Sequence, residues 1–240
     1  PYQREDFFYI FQFGPPPADV VGADKIFKIN KSGTWSNNTS LVLERVGAHI
    51  NDPDIVDTGS RMYMFYTSLG NAAIAQSAFL GNLLYAFPWH EVGVAYSDND
   101  GATWTDRGII INAWESGDGE GAWAPSAILV GDEIWVYYHT GTTDFSDTIV
   151  YRERFNKNTL AKIGSPQQLV FPDSSGLLAN VDVAKVGANY ILAGNILGRA
   201  AFDTITLYSS EDGLTFNSLP DADDGTNIFV QSSSGVAVTP

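Results

Sequence analysis

Apolar residues along this chain mostly alternate with polar ones or come in short bursts, and Gly, Asp, Asn and Ser bound the bursts. Such a pattern predicts strands joined by turns, and helical periodicity is scarce. The pattern also recurs at long range. Asn51-Asp52-Pro53-Asp54-Ile55-Val56 leads through Thr58-Gly59-Ser60 into Met62-Tyr63-Met64-Phe65-Tyr66-Thr67. Trp123-Ala124-Pro125-Ser126-Ala127-Ile128-Leu129 leads through Gly131-Asp132 into Ile134-Trp135-Val136-Tyr137-Tyr138-His139. Asn180-Val181-Asp182-Val183-Ala184-Lys185-Val186 leads through Gly187-Ala188-Asn189 into Tyr190-Ile191-Leu192-Ala193-Gly194. Each copy predicts a β-hairpin: a short buried strand, a Gly-containing turn, then an aromatic-rich strand.

A second motif follows each hairpin, in two good copies with a shortened one at Lys31–Trp35 and a worn one at Phe155–Leu160. Tyr96-Ser97-Asp98-Asn99-Asp100-Gly101-Ala102-Thr103-Trp104 and Tyr208-Ser209-Ser210-Glu211-Asp212-Gly213-Leu214-Thr215-Phe216 share a frame. Ser and Asp side chains can fold back on turn amides, Gly supplies a positive φ, and the aromatic anchors the next strand. These turns look like the Asp-box of sialidases and related propellers, with Asn99 at the usual Asp position. Together the motifs predict an all-β chain, a β-propeller of four-stranded antiparallel blades forming one domain over residues 1–240. Three blades fall near 50–104, 123–165 and 180–217. A fourth is expected to be split between the termini, with Gly235–Thr239 as its inner strand and Phe7–Phe13 and Lys25–Ile29 as the next two. Closing the ring with strands from both ends would remove open sheet edges.

Charge narrows the partners. With 28 acidic against 13 basic residues the formal charge is −15, and the basic footprint of a nucleic-acid binder is missing. A run of about 18 apolar residues, the length of a membrane-spanning helix, is absent too. Cys does not occur, which excludes thiolate nucleophiles, disulfides and Cys-type zinc sites. The sequence begins at Pro1 and reads as a mature or trimmed form, expected to be secreted or periplasmic and monomeric. No cofactor is required by this reading. Turn carboxylates such as Asp221, Asp223 and Asp224 serve either as a solubilising surface or as ligands of Ca²⁺.

The Asn-Asp-Pro-Asp-Ile-Val hairpin with its Tyr-Met-Phe-Tyr-Thr strand, followed by Trp-Ala-Pro and the Tyr-Tyr strand, resembles glycoside hydrolase family 43. It is also similar to the neighbouring five-bladed furanosidase and fructosidase families. The resemblance covers residues 49–216 and implies five blades, of which about four are visible. It also implies a carbohydrate substrate, cleaved in the central funnel by paired carboxylates. Asp52 matches the family's general base. The family's second Asp follows Trp-Ala-Pro, where this chain has Ser126, and the nearest carboxylate to the family's acidic Glu is Asp182. Glu120, just before Gly121-Ala122-Trp123, is a further candidate acid. The alternative for Asp52 and Asp182 is a side chain that only caps backbone amides.

Other residues are expected to shape the substrate site. His49 precedes the Asp-Pro motif and would lie at the funnel mouth, His139 sits at another blade edge, and Ser126 is a further candidate for substrate contact. Trp89, Trp114 and Trp123 are candidate sugar platforms, whereas Trp35, Trp104 and Trp135 are expected in the core. Loops 68–92 and 106–122 are predicted to form the rim. Two functions stay open: a glycoside hydrolase acting on an arabinose-, xylose- or algal-type glycan, and a non-catalytic propeller that binds carbohydrate or protein. A sialidase is disfavoured, because the chain has seven Arg and none in an Arg-Ile-Pro setting.

Overall fold

The computed structural model describes residues 3–4, 7–12, 25–30, 39–45, 48–70, 90–112, 120–141, 148–172, 177–197, 204–219 and 228–231. Among these residues every regular element is a strand, and the strands form four antiparallel sheets in chain order. The first sheet runs β1 (Gln3–Arg4), β2 (Phe7–Gln12), β3 (Lys25–Asn30), β4 (Thr39–Leu43). The second runs β5 (Ala48–Asp57), β6 (Met62–Gly70), β7 (His90–Ser97), β8 (Thr105–Ile111). The third runs β9 (Glu120–Val130), β10 (Glu133–Gly141), β11 (Thr148–Asn156), β12 (Gln167–Gln168). The fourth runs β13 (Leu177–Val186), β14 (Asn189–Leu197), β15 (Thr204–Ser210), β16 (Asn217–Ser218), and β17 (Ile228–Gln231) also pairs with β15. These are the blade-like meanders expected of a propeller, and the first strands of the second, third and fourth sheets pack on one another.

The three predicted hairpins are β5–β6, β9–β10 and β13–β14. In the first sheet β2 and β3 pair as expected, and β1 lies beside β2. Gly235–Thr239, the inner strand proposed to close the ring, lies outside the described residues. The predicted loop at 106–122 is shorter than expected, because Thr105–Ile111 is strand β8. Its polar start, Thr105-Asp106-Arg107, reads as loop but is the exposed end of an edge strand, interrupted where Gly108 takes a φ of 86°.

Each central strand feeds two cores. Along β6, Met62, Met64 and Tyr66 pack with Ile26, Leu43 and Ile50. The intervening Tyr63 and Phe65 pack with Val136, Tyr138 and Phe155 of the third sheet. Along β10, Val136 and Tyr138 face back to the second sheet, while Tyr137 joins Leu178, Leu192, Tyr208 and Phe216 towards the fourth. Side chains two residues apart share a face, so a strand apolar at successive positions is one buried on both faces. Burying each such side chain contributes about 1.5–3 kcal/mol. Sheet therefore stacks on sheet, and β5 packs on β9 as β9 packs on β13.

The two Ser-containing turns close as the sequence suggests. Ser97 Oγ accepts the Gly101 amide at 2.9 Å, and Asn99 Oδ1 accepts that of Thr103 at 2.9 Å. In the later copy Ser210 Oγ accepts the Gly213 amide, while Asp212 Oδ1 accepts those of Leu214 and Thr215, all at 2.8 Å. This later turn also fastens two sheets together. Tyr137 donates its hydroxyl to the Gly213 carbonyl at 3.1 Å, and Arg152 donates to the Asp212 carbonyl at 3.0 Å. The Arg152 guanidinium covers Trp135, which stacks on Tyr190.

Candidate active site on the inner strands

The inner strands share an irregularity that follows the repeat. Asp52, Ala124 and Asn180 have φ of 47°, 47° and 49°, and they occupy equivalent places in β5, β9 and β13. At each the hairpin register slips: between Asn51 and Asp54, between Trp123 and Ser126, and between Ala179 and Asp182. Asp and Asn tolerate the left-handed region because their short polar side chains bond locally. Ala124 has no such help, and for it the conformation costs about 1–2 kcal/mol. A bulge re-aims the residues that follow it, which here are Asp54, Ser126 and Asp182.

Two of these side chains join neighbouring inner strands by one rule. Asp54 Oδ2 accepts the Ala127 amide at 2.6 Å, and its Oδ1 accepts the Ile55 amide at 2.9 Å. Ser126 Oγ accepts the Val183 amide at 2.9 Å. In each case the side chain two residues past the bulge binds the amide three residues past the next bulge. Ser126 Oγ then donates to Asp182 Oδ1 at 3.0 Å. The Asp182 residue is exposed, and its carboxylate is thus drawn toward the neighbouring sheet and not into a turn.

Asp52 is held by a third bridge. Thr67 on β6 donates its hydroxyl to Asp52 Oδ2 at 3.1 Å and accepts the Ala124 amide at 2.8 Å. Asp54 is the carboxyl that the sequence reading did not single out. Burial pushes it up to about 6 against the pull of the Ala127 amide, and the charge of Asp182 raises it further. Aligning the three hairpin repeats sets Asp54 beside Ser126 and Asp182, but its role rests on the Ala127 amide of the next sheet, which no local pattern marks.

The remaining candidates fall into two groups. Ser126, Trp123 and His139 are buried, with 2%, 5% and 1% exposure. Trp123 is edge-on to His139, with centroids 4.6 Å apart, and to His90 at 5.2 Å. Burial holds the His139 imidazole well below its ordinary range, with a further contribution from His90, and its Nδ1 has no hydrogen-bond partner among the described residues. These three frame the inner strands from within the protein. Glu120 opens β9, its backbone opposite Gly141, and His49 lies on β5 opposite Leu69. The side chains of both lie outside the description, as do Trp89, Trp114 and Trp35 entirely and the turn carboxylates Asp221, Asp223 and Asp224. Trp104 and Trp135 pack against the cores, as expected. Among the described residues no group of three or more His, Asp or Glu is placed to hold a metal ion.

No protein-family model matches the chain, and no curated protein matches its sequence. Solved structures do match its fold. One is Zg3597, a family 117 glycoside hydrolase from the marine bacterium Zobellia galactanivorans, at a TM-score of 0.56 and 14% identity. The match covers 90% of this chain, which spans only 61% of that enzyme's length. A family 43 endo-arabinanase from Bacillus licheniformis matches at a TM-score of 0.57 and 16% identity, over 93% of this chain and 79% of that one. An N-acetylgalactosamine deacetylase from F. plautii matches at 0.57 and 11% identity, over 95% and 71%. The chain is thus similar in fold to solved glycoside hydrolases of families 43 and 117 and to a solved deacetylase, and the likeness is one of fold.

Proposed function

We propose that this propeller-type chain is a glycoside hydrolase acting on an oligo- or polysaccharide of arabinose, xylose or algal type. The observation that carries the reading is the placing of Asp52 and of the Ser126–Asp182 pair on adjacent inner strands of a fold shared with such enzymes. Glycoside hydrolysis needs one carboxylate opposite one carboxylic acid. Asp52, oriented by Thr67, is assigned the part of the carboxylate that activates water or attacks the sugar. Asp182 or Glu120 is assigned the part of the acid that protonates the leaving oxygen. Trp89, Trp114 and His49 are assigned to sugar contact, while Trp123, Ser126 and His139 support the strands beneath. The reading includes a secreted or periplasmic location, a monomer, and no required cofactor.

A second reading is a non-catalytic propeller that binds carbohydrate or protein. It is favoured by Ser126, whose hydroxyl is committed to Val183 and Asp182 at the position where the preceding sheet carries the Asp54 carboxyl. The test is turnover on aryl furanosides, aryl pyranosides, arabinan and xylan by the native protein and by Asp52→Asn. Turnover lost in Asp52→Asn supports the hydrolase. Glycan binding without turnover by either protein supports the second reading.

A further inference from the structure

We infer that Thr67 is a positioning residue for Asp52, one that ties the geometry of the proposed base to the neighbouring sheet. The argument rests on what each atom can donate. The Ala124 amide carries a proton and no acceptor, so at 2.8 Å the Thr67 oxygen must be the acceptor. The one hydroxyl proton is then left for Asp52 Oδ2, 3.1 Å away. A hydroxyl free to rotate would spend part of its time turned elsewhere. This one is 1% exposed and fixed by a backbone amide of β9, so its donation to Asp52 is preorganised.

The backbone makes the arrangement specific. Thr67 lies opposite Asn51 on β5 and opposite Val92 on β7, in the central strand of its sheet. The Asn51 pair is the last before the β5 register slips, so Thr67 sits at the bulge that sends Asp52 into the left-handed region. The amide it accepts belongs to the equivalent left-handed residue of the next sheet, Ala124. One hydroxyl therefore couples two bulges, and a shift of β9 relative to β5 would be felt at the Asp52 carboxylate. Donation to the ionised carboxylate favours that form, keeping it ready to accept a proton.

The inference rests on the reading of Asp52 as the base, and its test separates the two. Thr67→Val keeps the shape and removes the hydroxyl, while Thr67→Ser restores it. Should Thr67→Val not fold, Thr67→Cys offers a thiol, a weaker donor and acceptor. Carboxyl-carbon NMR, with the Asp52 signal assigned through Asp52→Asn, follows the titration of Asp52 in each folded variant. The titration midpoint is expected to move to higher pH in Thr67→Val or Thr67→Cys and to return in Thr67→Ser. The acidic limb of kcat/KM should move with it, and kcat should fall about tenfold with KM little changed. An unmoved Asp52 midpoint in the hydroxyl-free variant overturns the positioning role, whatever the turnover. A midpoint that moves while Asp52→Asn retains full turnover upholds the positioning role and overturns the assignment of Asp52 as base.

Discussion

The Ser126 hydroxyl donates to the Asp182 carboxylate across the boundary between the third and fourth sheets, at 3.0 Å. The same oxygen accepts the Val183 amide, so one small side chain satisfies an amide and orients an acid. Ser126→Ala leaves the amide without this acceptor in a buried place, which costs about 1–3 kcal/mol. Urea unfolding should show that loss, and Ser126→Thr, which keeps the hydroxyl, should recover most of it.

Asp54 gives the unfolding curve a distinctive pH dependence. The folded chain holds this carboxyl's proton up to about pH 6, whereas an Asp in the unfolded chain releases it near 3.8. Between those values the native state binds the extra proton, so the contribution of Asp54 to stability falls as pH rises through the window. Asp54→Asn cannot titrate. The melting temperature of the native protein relative to Asp54→Asn should therefore decline from pH 4 to pH 6.5 and level off above it.

Asp212 should behave in the opposite sense. The Thr215 amide, with that of Leu214 and the Ser210 hydroxyl, holds its carboxyl below the ordinary range. Stability from this group is present above the ordinary carboxylate range and is lost as pH falls through the depressed value. Asp212→Ala should lower stability at pH 7 by about 1–2 kcal/mol. In acid unfolding its midpoint and that of the native protein should converge.

Gly93 and Gly213 should resist any side chain. A methyl group at Gly93 would collide with the Tyr66 ring in the core between the first two sheets. At Gly213 it would meet Trp135 at 2.6 Å and the Tyr137 hydroxyl at 2.8 Å, on a backbone with φ of +70°. Gly93→Ala and Gly213→Ala should each lower the melting temperature by several degrees, a loss of about 1–3 kcal/mol. Gly187→Ala, at a similar φ of +62° with nothing within 4 Å, provides the control for backbone strain alone.

Much of this architecture is readable from sequence because the repeat writes it more than once. The Tyr63–Phe65 and Val136–Tyr138 alternations identify strands buried on both faces, and Ser97 and Ser210 mark the last turns of the second and fourth meanders. The first sheet is harder to read, since Gln3–Arg4 is too short to announce a strand. In the site, Asp52 and Asp182 stand out as carboxylates in a recurring frame. Asp54 and Thr67 do not, because their roles come from contacts across sheets, 73 and 57 residues away in the chain. No local pattern encodes such a contact. The left-handed Ala124 is equally silent, as nothing about alanine advertises a conformation that the surrounding strands impose.

Because β6 and β10 each lend alternate side chains to two different cores, neighbours in the chain answer to different masters. Met64 is constrained by the sheet before it and Phe65 by the sheet after it, although one peptide bond joins them. A meander removed from the stack would carry two greasy surfaces and leave matching ones behind, so it has no inside of its own to keep. The molecule therefore behaves less like a string of beads than like the voussoirs of an arch, each held by the thrust of the next. Damage to one seam loosens those on either side before it is felt as the loss of a single block.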